Sequence, residues 1–173
     1  MTVPGWRFLL AHPAHLLALG FGSGLAPKAP GTFGTLWAWA AFALLQPWMN
    51  DVAWAVLIGL SIPVGWWACT VTARNLGVLD PSAVVWDEVV AFWLVLWLVT
   101  PTSWLGQALA FACFRFFDAV KPGPVGWADR LYHDLHPEAD AQAWPKAGWG
   151  IMLDDLVAAG CTVLVVALAM VWL

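Results

Sequence analysis

The chain has 173 residues, of which 62% are hydrophobic and only 10% are charged, and its formal net charge at pH 7 is −4. Soluble domains carry about 25% charged residues, so this composition excludes an ordinary water-soluble protein, and so modest a charge argues against nucleic-acid binding. We therefore expect a single integral membrane domain over residues 1–173, an all-α bundle of about five transmembrane helices with a short N-terminal surface or partial helix.

The hydropathy pattern predicts the helices in chain order. Residues 1–22 contain prolines and histidines that interrupt the apolar run, which argues against a cleaved signal peptide, and residues 12–21 are predicted to form the partial helix. Five apolar stretches follow that reach or approach the roughly 20 helical residues needed to cross a bilayer core. They are residues 33–48, 52–71, 84–100, 103–117 and 155–173.

The charged residues predict one polar face. With five crossings, all seven Lys and Arg residues fall on the same side of the membrane, which the positive-inside rule assigns to the cytoplasm. Ten of the eleven Asp and Glu residues fall on that side or in the adjoining helix ends, and only Asp51 lies opposite. The three cysteines lie in apolar runs and are expected to be buried thiols rather than disulfides.

Acidic pairs occur beside or within two of the apolar stretches. The sequence VVWDEVVAFW places Asp87 and Glu88 among apolar residues, and a carboxylate at a membrane helix centre costs about 2.5–3.5 kcal/mol. Both acids need a cation or a proton; the simpler alternative is that one pairs with a basic residue and the other faces water. The sequence GWGIMLDDLVAAG places Asp154 and Asp155 at the start of an uncharged run, where capping of the helix dipole by one acid is the alternative.

A third charged cluster lies in FRFFDAVKPGPVGWADR. Arg115, Asp118 and Lys121 are spaced by three and share one side of a helix that is predicted to end at the following proline. A salt-bridge ladder is the alternative for these residues, and a solvated pair in a loop is the alternative for Asp129 and Arg130. Together the clusters bring up to six carboxylates to one membrane face, and their repulsion requires a positive ion. Magnesium suits carboxylate oxygens, whereas the histidines lack the ligand spacing of a zinc site.

A Gly/Pro-rich loop, GSGLAPKAPGTFGT, precedes the first apolar stretch. It offers the cation of Lys28, several hydroxyl groups and backbone N–H groups at a helix N-terminus, which together suit an anion and above all a phosphate. A simple helix-capping loop is the alternative. Beside a carboxylate–magnesium cluster, the loop indicates a site in which phosphate bridges the metal and the loop.

Four runs of the sequence, GFGSGLAPKAPGTFGT, VVWDEVVAFW, FRFFDAVKPGPVGWADR and GWGIMLDDLVA, resemble the motifs of the phosphatidylglycerophosphatase A family in the same order. The resemblance implies a magnesium-dependent enzyme of the bacterial inner membrane that hydrolyses phosphatidylglycerophosphate to phosphatidylglycerol and phosphate in phospholipid biosynthesis, with its active site facing the cytoplasm. The chain departs from the family pattern at Ala91 and Ala159, where glycines are expected, and in the long segment 131–147, whose His133 is the candidate for a family histidine.

These observations lead to an expected set of roles. Four carboxylates are expected to hold magnesium: Glu88, Asp129, Asp154 and Asp155. Three residues are expected to be catalytic, with one of the two acids orienting the attacking water: Asp87, Asp118 and Lys121. Five residues are expected to contact the phospholipid substrate: Ser23, Lys28, Thr32, Thr35 and Arg130. Direct attack by water and an aspartyl-phosphate intermediate both stay open.

Two other classes of membrane protein compete with the phosphatase. A small cation-coupled transporter or channel would distribute its carboxylates along an ion path, whereas this chain gathers them at one end. A lipid-headgroup transferase would use similar magnesium chemistry, but the DGxxAR signature of the CDP-alcohol transferases is absent from the sequence.

Overall fold

The computed structural model of the chain describes residues 4–132 and 134–172, with side chains as far as residue 169. Helix is the only regular secondary structure in these ranges, which confirms the all-α prediction. The eight α-helices are α1 (Trp6–Leu10), α2 (Pro13–Ala18), α3 (Pro30–Leu45), α4 (Asp51–Leu76), α5 (Trp86–Val99), α6 (Trp104–Val120), α7 (Pro124–Arg130) and α8 (Ala143–Trp172). Two 3₁₀ segments, Gly20–Leu25 and Gln46–Trp48, flank α3.

Helix α5 is the centre of the bundle. It packs against α3, α4, α6 and α8, and Val89, Phe92 and Leu96 on it are fully buried. A helix that four neighbours enclose over most of its length is apolar around its circumference, which explains why α5 shows no polar stripe beyond its first turn. The acids of that first turn are thereby carried to one end of the bundle.

The helix ends alternate, so that polar segments distant in sequence meet. The N-terminal ends of α3 and α5, the C-terminal end of α6 and the loop that follows α4 line one cavity. At the other end of α5, the indole Nε1 of Trp97 donates to Asp51 Oδ1 over 3.3 Å. Asp51 therefore lies at the end of the bundle away from the cavity.

The short helix α2 packs against α4, and α1 packs against α2. His15 of α2 is 3% exposed; its Nδ1 donates to the Phe8 carbonyl over 2.8 Å, and its Nε2 lies 2.8 Å from the Asn75 amide nitrogen near the end of α4. The partial helix predicted for residues 12–21 is thus a short α-helix followed by a 3₁₀ segment.

The start of α8 differs from the sequence prediction. The final helix begins at Ala143 rather than at residue 155, and the indole of Trp66 in α4 donates to the Pro145 carbonyl in its first turn over 2.8 Å. Asp154 and Asp155 therefore lie well inside α8, where backbone N–H groups are already bonded within the helix. Capping of the helix dipole as the reason for this acidic pair is wrong.

Helix α7 is a second difference. Asp129 and Arg130 were expected in a loop, but they end a short helix that begins at Pro124. Proline is favoured at the first position of a helix because its fixed φ suits the helix and its missing N–H has no partner to lose there.

Two of the described helices, α4 and α8 as far as Ala169, are long and apolar enough to cross a membrane. Helices α3, α5 and α6 have 16, 14 and 17 residues, and a 14-residue helix is about 21 Å long, against about 30 Å for the hydrocarbon core of a bilayer. The prediction of five membrane crossings is therefore not confirmed.

Candidate active site

A cavity of about 250 Å³ opens at the end of the bundle where α3, α5 and α6 meet. Two cationic side chains, Arg115 and Lys121, and the backbone of residues 29–31 contribute to its lining. Its six carboxyl groups are those of Asp80, Asp87, Glu88, Asp118, Asp154 and Asp155. If all of these groups are ionised, the acids exceed the cations by four charges, so an additional cation would stabilise the site.

Three carboxylates form the tightest part of this cluster. Asp87 and Glu88 in the first turn of α5 and Asp155 in α8 each offer one oxygen, and these three oxygens all lie within 4.8 Å of one another. Glu88 and Asp155 are 9% and 2% exposed. The extensive packing of α5 on α8 brings the two helices close enough for their acids to meet.

Several carboxylate oxygens of the site are buried without a hydrogen-bond partner among the described residues. They are Asp87 Oδ1, Glu88 Oε2, Asp154 Oδ1 and Asp155 Oδ2. A buried carboxylate oxygen is expected to be paired with a donor or a metal ion, because its desolvation is costly. Oxygen donors of this kind fit a hard divalent cation such as magnesium.

Arg115 joins the acids to the first turns of α3. Its guanidinium forms an ion pair with Asp118 one turn later in α6, and Nη1 lies 3.7 Å from Glu88 Oε1. The same Nη1 donates to Thr35 Oγ1 over 3.3 Å, while the Thr35 hydroxyl donates to the Gly31 carbonyl over 2.8 Å. Thr35 therefore positions Arg115. The predicted contact of Thr35 with the substrate stays a prediction.

Lys121 forms a second ionic centre. Its Nζ lies 2.5 Å from Asp129 Oδ1 and 2.5 Å from Asp154 Oδ2. Burial lowers the pKa of Lys121, but the hydrogen bonds to Asp129 and Asp154 outweigh burial and raise that pKa above the ordinary lysine value. Asp129 thus reaches the site through Lys121, and its assignment as a metal ligand stays a prediction.

Because Gly31 has no side chain, the charged groups of Glu88 and Arg115 can lie against the first turn of α3. A Cβ built on Gly31 would collide with Glu88 Oε1 and would lie 3.2 Å from both terminal nitrogens of Arg115. The first turn of α3 therefore approaches the ionic groups more closely than any residue with a side chain permits. A positive helix N-terminus at this point favours negative charge in the cavity.

The other residues predicted to bind substrate lie around this centre. Lys28 is exposed and precedes Ala29, which does line the cavity, and Thr32 is half-buried in the first turn of α3. Ser23 Oγ donates to the Gly20 carbonyl over 2.8 Å within the preceding 3₁₀ segment. Arg130 is exposed, and its Nε donates to the Gly126 carbonyl over 2.9 Å. Their roles as substrate contacts stay predictions, and His133 lies outside the described residues.

Sequence reasoning missed Asp80. This residue lies in the loop between α4 and α5 and lines both the active-site cavity and a neighbouring cavity of about 160 Å³. The available signal was its position seven residues before Asp87, in the same polar approach to α5, followed directly by a proline. Because Asp80 lies in the loop just before the acidic first turn of α5, it belongs to the same polar face of the bundle.

An acidic cavity next to a helix N-terminus, set in a bundle of apolar helices, is chemically suited to a phosphate ester, the substrate of a phosphatase. Comparison with protein families agrees with this class: the family model described as Phosphatidylglycerophosphatase A matches residues 16–170 of the sequence. The chain belongs to the phosphatidylglycerophosphatase A family, as its four motifs predict, and it is an enzyme of the phosphatase class.

Curated relatives support the assignment to this family. Phosphatidylglycerophosphatase A of Escherichia coli strain K12 is 38% identical over 155 residues, which cover 88% of this chain and 80% of that protein. Phosphatidylglycerophosphatase A of Haemophilus influenzae is 36% identical over 167 residues, covering 96% and 94% of the two chains. A protein of Bacteroides thetaiotaomicron, provisionally named phosphatidylinositol-3-phosphatase, is 36% identical over 161 residues, covering 89% and 91%. No solved structure matches the chain.

Proposed function

We propose that the protein hydrolyses phosphatidylglycerophosphate to phosphatidylglycerol and inorganic phosphate with the help of magnesium, at the cytoplasmic face of a bacterial inner membrane. Family membership supports the substrate and the reaction. The cluster of Asp87, Glu88 and Asp155 is the observation that carries the proposal, because three carboxylates within 4.8 Å of one another, one half-buried and two buried, need a cation at neutral pH.

The carboxylates of this cluster would hold the magnesium, with the unpartnered Asp154 Oδ1 as a fourth donor. Asp87 was predicted as a catalytic residue and Glu88 and Asp155 as ligands, but the three share one site. When bound, a divalent ion polarises a phosphoryl oxygen and neutralises the charge that develops during phosphoryl transfer.

The protein's own residues would then bind the phosphate monoester and move one proton. Arg115 and the N-terminus of α3 present positive charge to the phosphoryl oxygens, and Asp118 orients the attacking water. Water oxygen bonds to phosphorus as the bond from phosphorus to the glycerol oxygen breaks. The water proton passes to Asp118 and then to the released glycerol oxygen, so that the leaving group departs with a neutral hydroxyl in place of the phosphate ester, while the phosphodiester of phosphatidylglycerol keeps its charge.

The membrane placement follows from the charges at the cavity end. Lys28, Arg74, Lys121 and Lys146 belong to loops or helix turns at that end, which the positive-inside rule assigns to the cytoplasm. We place α4 and α8 across the bilayer and the shorter α3, α5 and α6 between them as inserted helices. Labelling of single cysteines from either side of sealed vesicles tests this arrangement; positions 28 and 121 labelled from opposite sides would contradict it.

A cation-coupled transporter is less consistent with the described core. An ion path through the bundle requires polar groups at intervals along it, but α5 is apolar from Val89 to its end at Val99. The carboxylates are concentrated at one end of that helix. The arrangement suits a reaction at the membrane surface rather than transport through the membrane.

Phosphate release from phosphatidylglycerophosphate in detergent micelles tests the proposed reaction. We expect turnover that requires magnesium and stops in excess chelator, and at least about 100-fold slower turnover in Glu88→Gln. Glu138→Gln, the same chemical change at an exposed loop position, is the matched control. Full activity in chelator would contradict the proposed role of the metal. Faster hydrolysis of phosphatidylinositol 3-phosphate than of phosphatidylglycerophosphate would contradict the proposed substrate.

A further inference from the structure

A second, apolar cavity lies on the outside of the bundle between α3 and α6. Its volume is about 360 Å³, and its lining residues are Leu36, Trp39, Ala40, Ala43 and Trp104. Leu36 and Trp104 are 42% and 67% exposed, so the groove is open to the surroundings of the bundle. We call this feature the α3–α6 groove.

The floor of the groove is held in place by specific contacts. Trp39 Nε1 donates to Gln107 Oε1 over 2.7 Å, and the Trp39 ring stacks on Phe111 with ring centroids 5.8 Å apart. Phe92 of the buried helix α5 contacts both rings edge-on from below. Because hydrogen bonding and packing fix Trp39, the groove is a preformed feature of the two helices rather than a gap that one side chain would fill.

Both walls of the groove lead to the active-site cavity. On α3, Thr32, Leu36, Trp39 and Ala43 follow one another at spacings of four, three and four residues, which places them on one helix face. Thr32 directly follows the cavity-lining Gly31. The groove face of α3 therefore runs from Ala43 toward the end of the helix that lines the phosphate site.

The same spacing occurs on α6 in the opposite chain direction. Trp104, Ala108, Phe111 and Arg115 lie at spacings of four, three and four residues, and the last of them lines the active-site cavity. From Thr32 to Ala43 the face extends about 17 Å, close to the depth of one bilayer leaflet of about 15 Å. This helix face, with the apolar groove along most of it and the ionic groups of the cavity at its Thr32 end, matches the length of a phospholipid in one leaflet.

We infer that the α3–α6 groove holds an acyl chain of the phospholipid substrate while the phosphorylated headgroup occupies the acidic cavity. This inference rests on the proposed function and adds to it a lateral entry route from the lipid. The direction of both walls toward the phosphate site favours the substrate's own chain over a second copy of the protein, because a helix packed in the groove would block the path of the lipid to Arg115.

Photolabelling of the wild-type protein tests where the chain binds. The probe is phosphatidylglycerophosphate with a diazirine in one acyl chain, in micelles with magnesium. We expect adducts in residues 36–43 or 104–111 that excess unlabelled phosphatidylglycerophosphate removes and excess phosphatidylcholine does not. Adducts confined to other helices, or adducts that both lipids remove equally, would overturn the inference.

Filling the groove provides an independent kinetic readout. Ala40→Trp places an indole in the groove, and Leu44→Trp, at a 75% exposed position outside the lining, is the matched control. We expect Ala40→Trp to raise KM for the long-chain substrate about tenfold. Ala40→Trp should keep the wild-type kcat and the wild-type activity on the deacylated substrate, which has the same phosphorylated headgroup but no acyl chains. Leu44→Trp should have the KM and kcat of the wild type.

The outcomes separate the inference from the proposed function. Wild-type phosphate release combined with an unchanged KM in Ala40→Trp would overturn the acyl-chain site and leave the phosphatase intact. No phosphate release by wild type from any phospholipid would overturn the proposed function, even if the photolabel still reached the groove. If Ala40→Trp loses activity on both substrates because it unfolds, photolabelling of the wild type decides.

Discussion

Lys121 Nζ and Asp154 Oδ2 lie 2.5 Å apart, although 33 positions separate the two residues in the chain. The pair joins the C-terminal end of α6 to the interior of α8. Lys121 adopts the left-handed conformation, with φ of 50°, directly after the last residue of α6, and this turn directs the chain toward α7. One cation thereby connects three helices at the rim of the acidic cavity.

Replacing this cation is expected to damage both stability and activity. Lys121→Gln leaves Asp154 and Asp129 without their shared partner, and we expect a loss of about 1–3 kcal/mol in the free energy of unfolding. This is below the about 3–5 kcal/mol of a fully buried pair, because the Lys121 side chain is 29% exposed. Thermal unfolding in detergent and kcat/KM for phosphate release measure the effect. Lys146→Gln, which breaks only the peripheral pair with Asp140, should retain activity.

The raised pKa of Lys121 predicts how this stabilisation depends on pH. A cation whose pKa is higher in the folded than in the unfolded protein contributes fully below its unfolded pKa of about 10.4, and the contribution is lost as pH rises through the folded value. The difference in melting temperature between wild type and Lys121→Gln should therefore be the same at pH 7.5 and at pH 9. A difference that shrinks over this interval would show that Lys121 is not the stabilising cation.

Asp155→Asn is expected to separate stability from activity. The change removes one of three carboxylates that crowd within 4.8 Å, so repulsion falls and the melting temperature in chelator should rise by about 2–4 °C. Phosphate release should fall at least about 100-fold, and the increase in melting temperature that magnesium gives the wild type should disappear. Asp140→Asn is the control outside the cavity. A variant that magnesium still stabilises as much as wild type would remove Asp155 from the proposed ligands.

Gly31→Ala tests the close approach of α3 to the charged groups. The added methyl group would displace Glu88 Oε1 and press on the Arg115 guanidinium, so we expect at least about a tenfold loss of kcat/KM. Gly59→Ala in α4 is the matched control, because nothing lies within 4 Å of a Cβ at that position. The control should be neutral or stabilising by up to about 1 kcal/mol, since alanine favours a helix over glycine. Equal activity of the two variants would contradict the positioning role of Gly31.

The sequence predicted the helices most accurately where the apolar pattern decides the structure. Helix α5 was expected at residues 84–100 and is observed at Trp86–Val99. The start of α8 was misplaced because residues 143–153 mix glycine, proline and lysine with apolar residues, which hides a helix that neighbouring α4 stabilises by packing. Tertiary contacts override local propensity in such a segment.

The candidate site was predicted in part. The sequence indicated that the acidic clusters and the Gly/Pro-rich loop converge, and the cavity joins residues 29–31 of that loop to the acids of α5, α6 and α8. Local pattern was insufficient to find Asp80, since one acid in a polar loop resembles any solvated residue. It was also insufficient to separate Asp129, which contacts Lys121, from the carboxylates of the tight cluster.

The amino-acid sequence by itself determined that the chain forms apolar helices and that nearly all of its charges lie beside their ends, because hydropathy and chain order act locally and along one dimension. Only the tertiary structure decided that the carboxylates of Asp87, Glu88 and Asp155 lie together. It also decided that Lys121 forms an ion pair with Asp154. The physical reason is rotational: each residue turns the helix by about 100°, so the packing of α5 and α8 selects which oxygens meet.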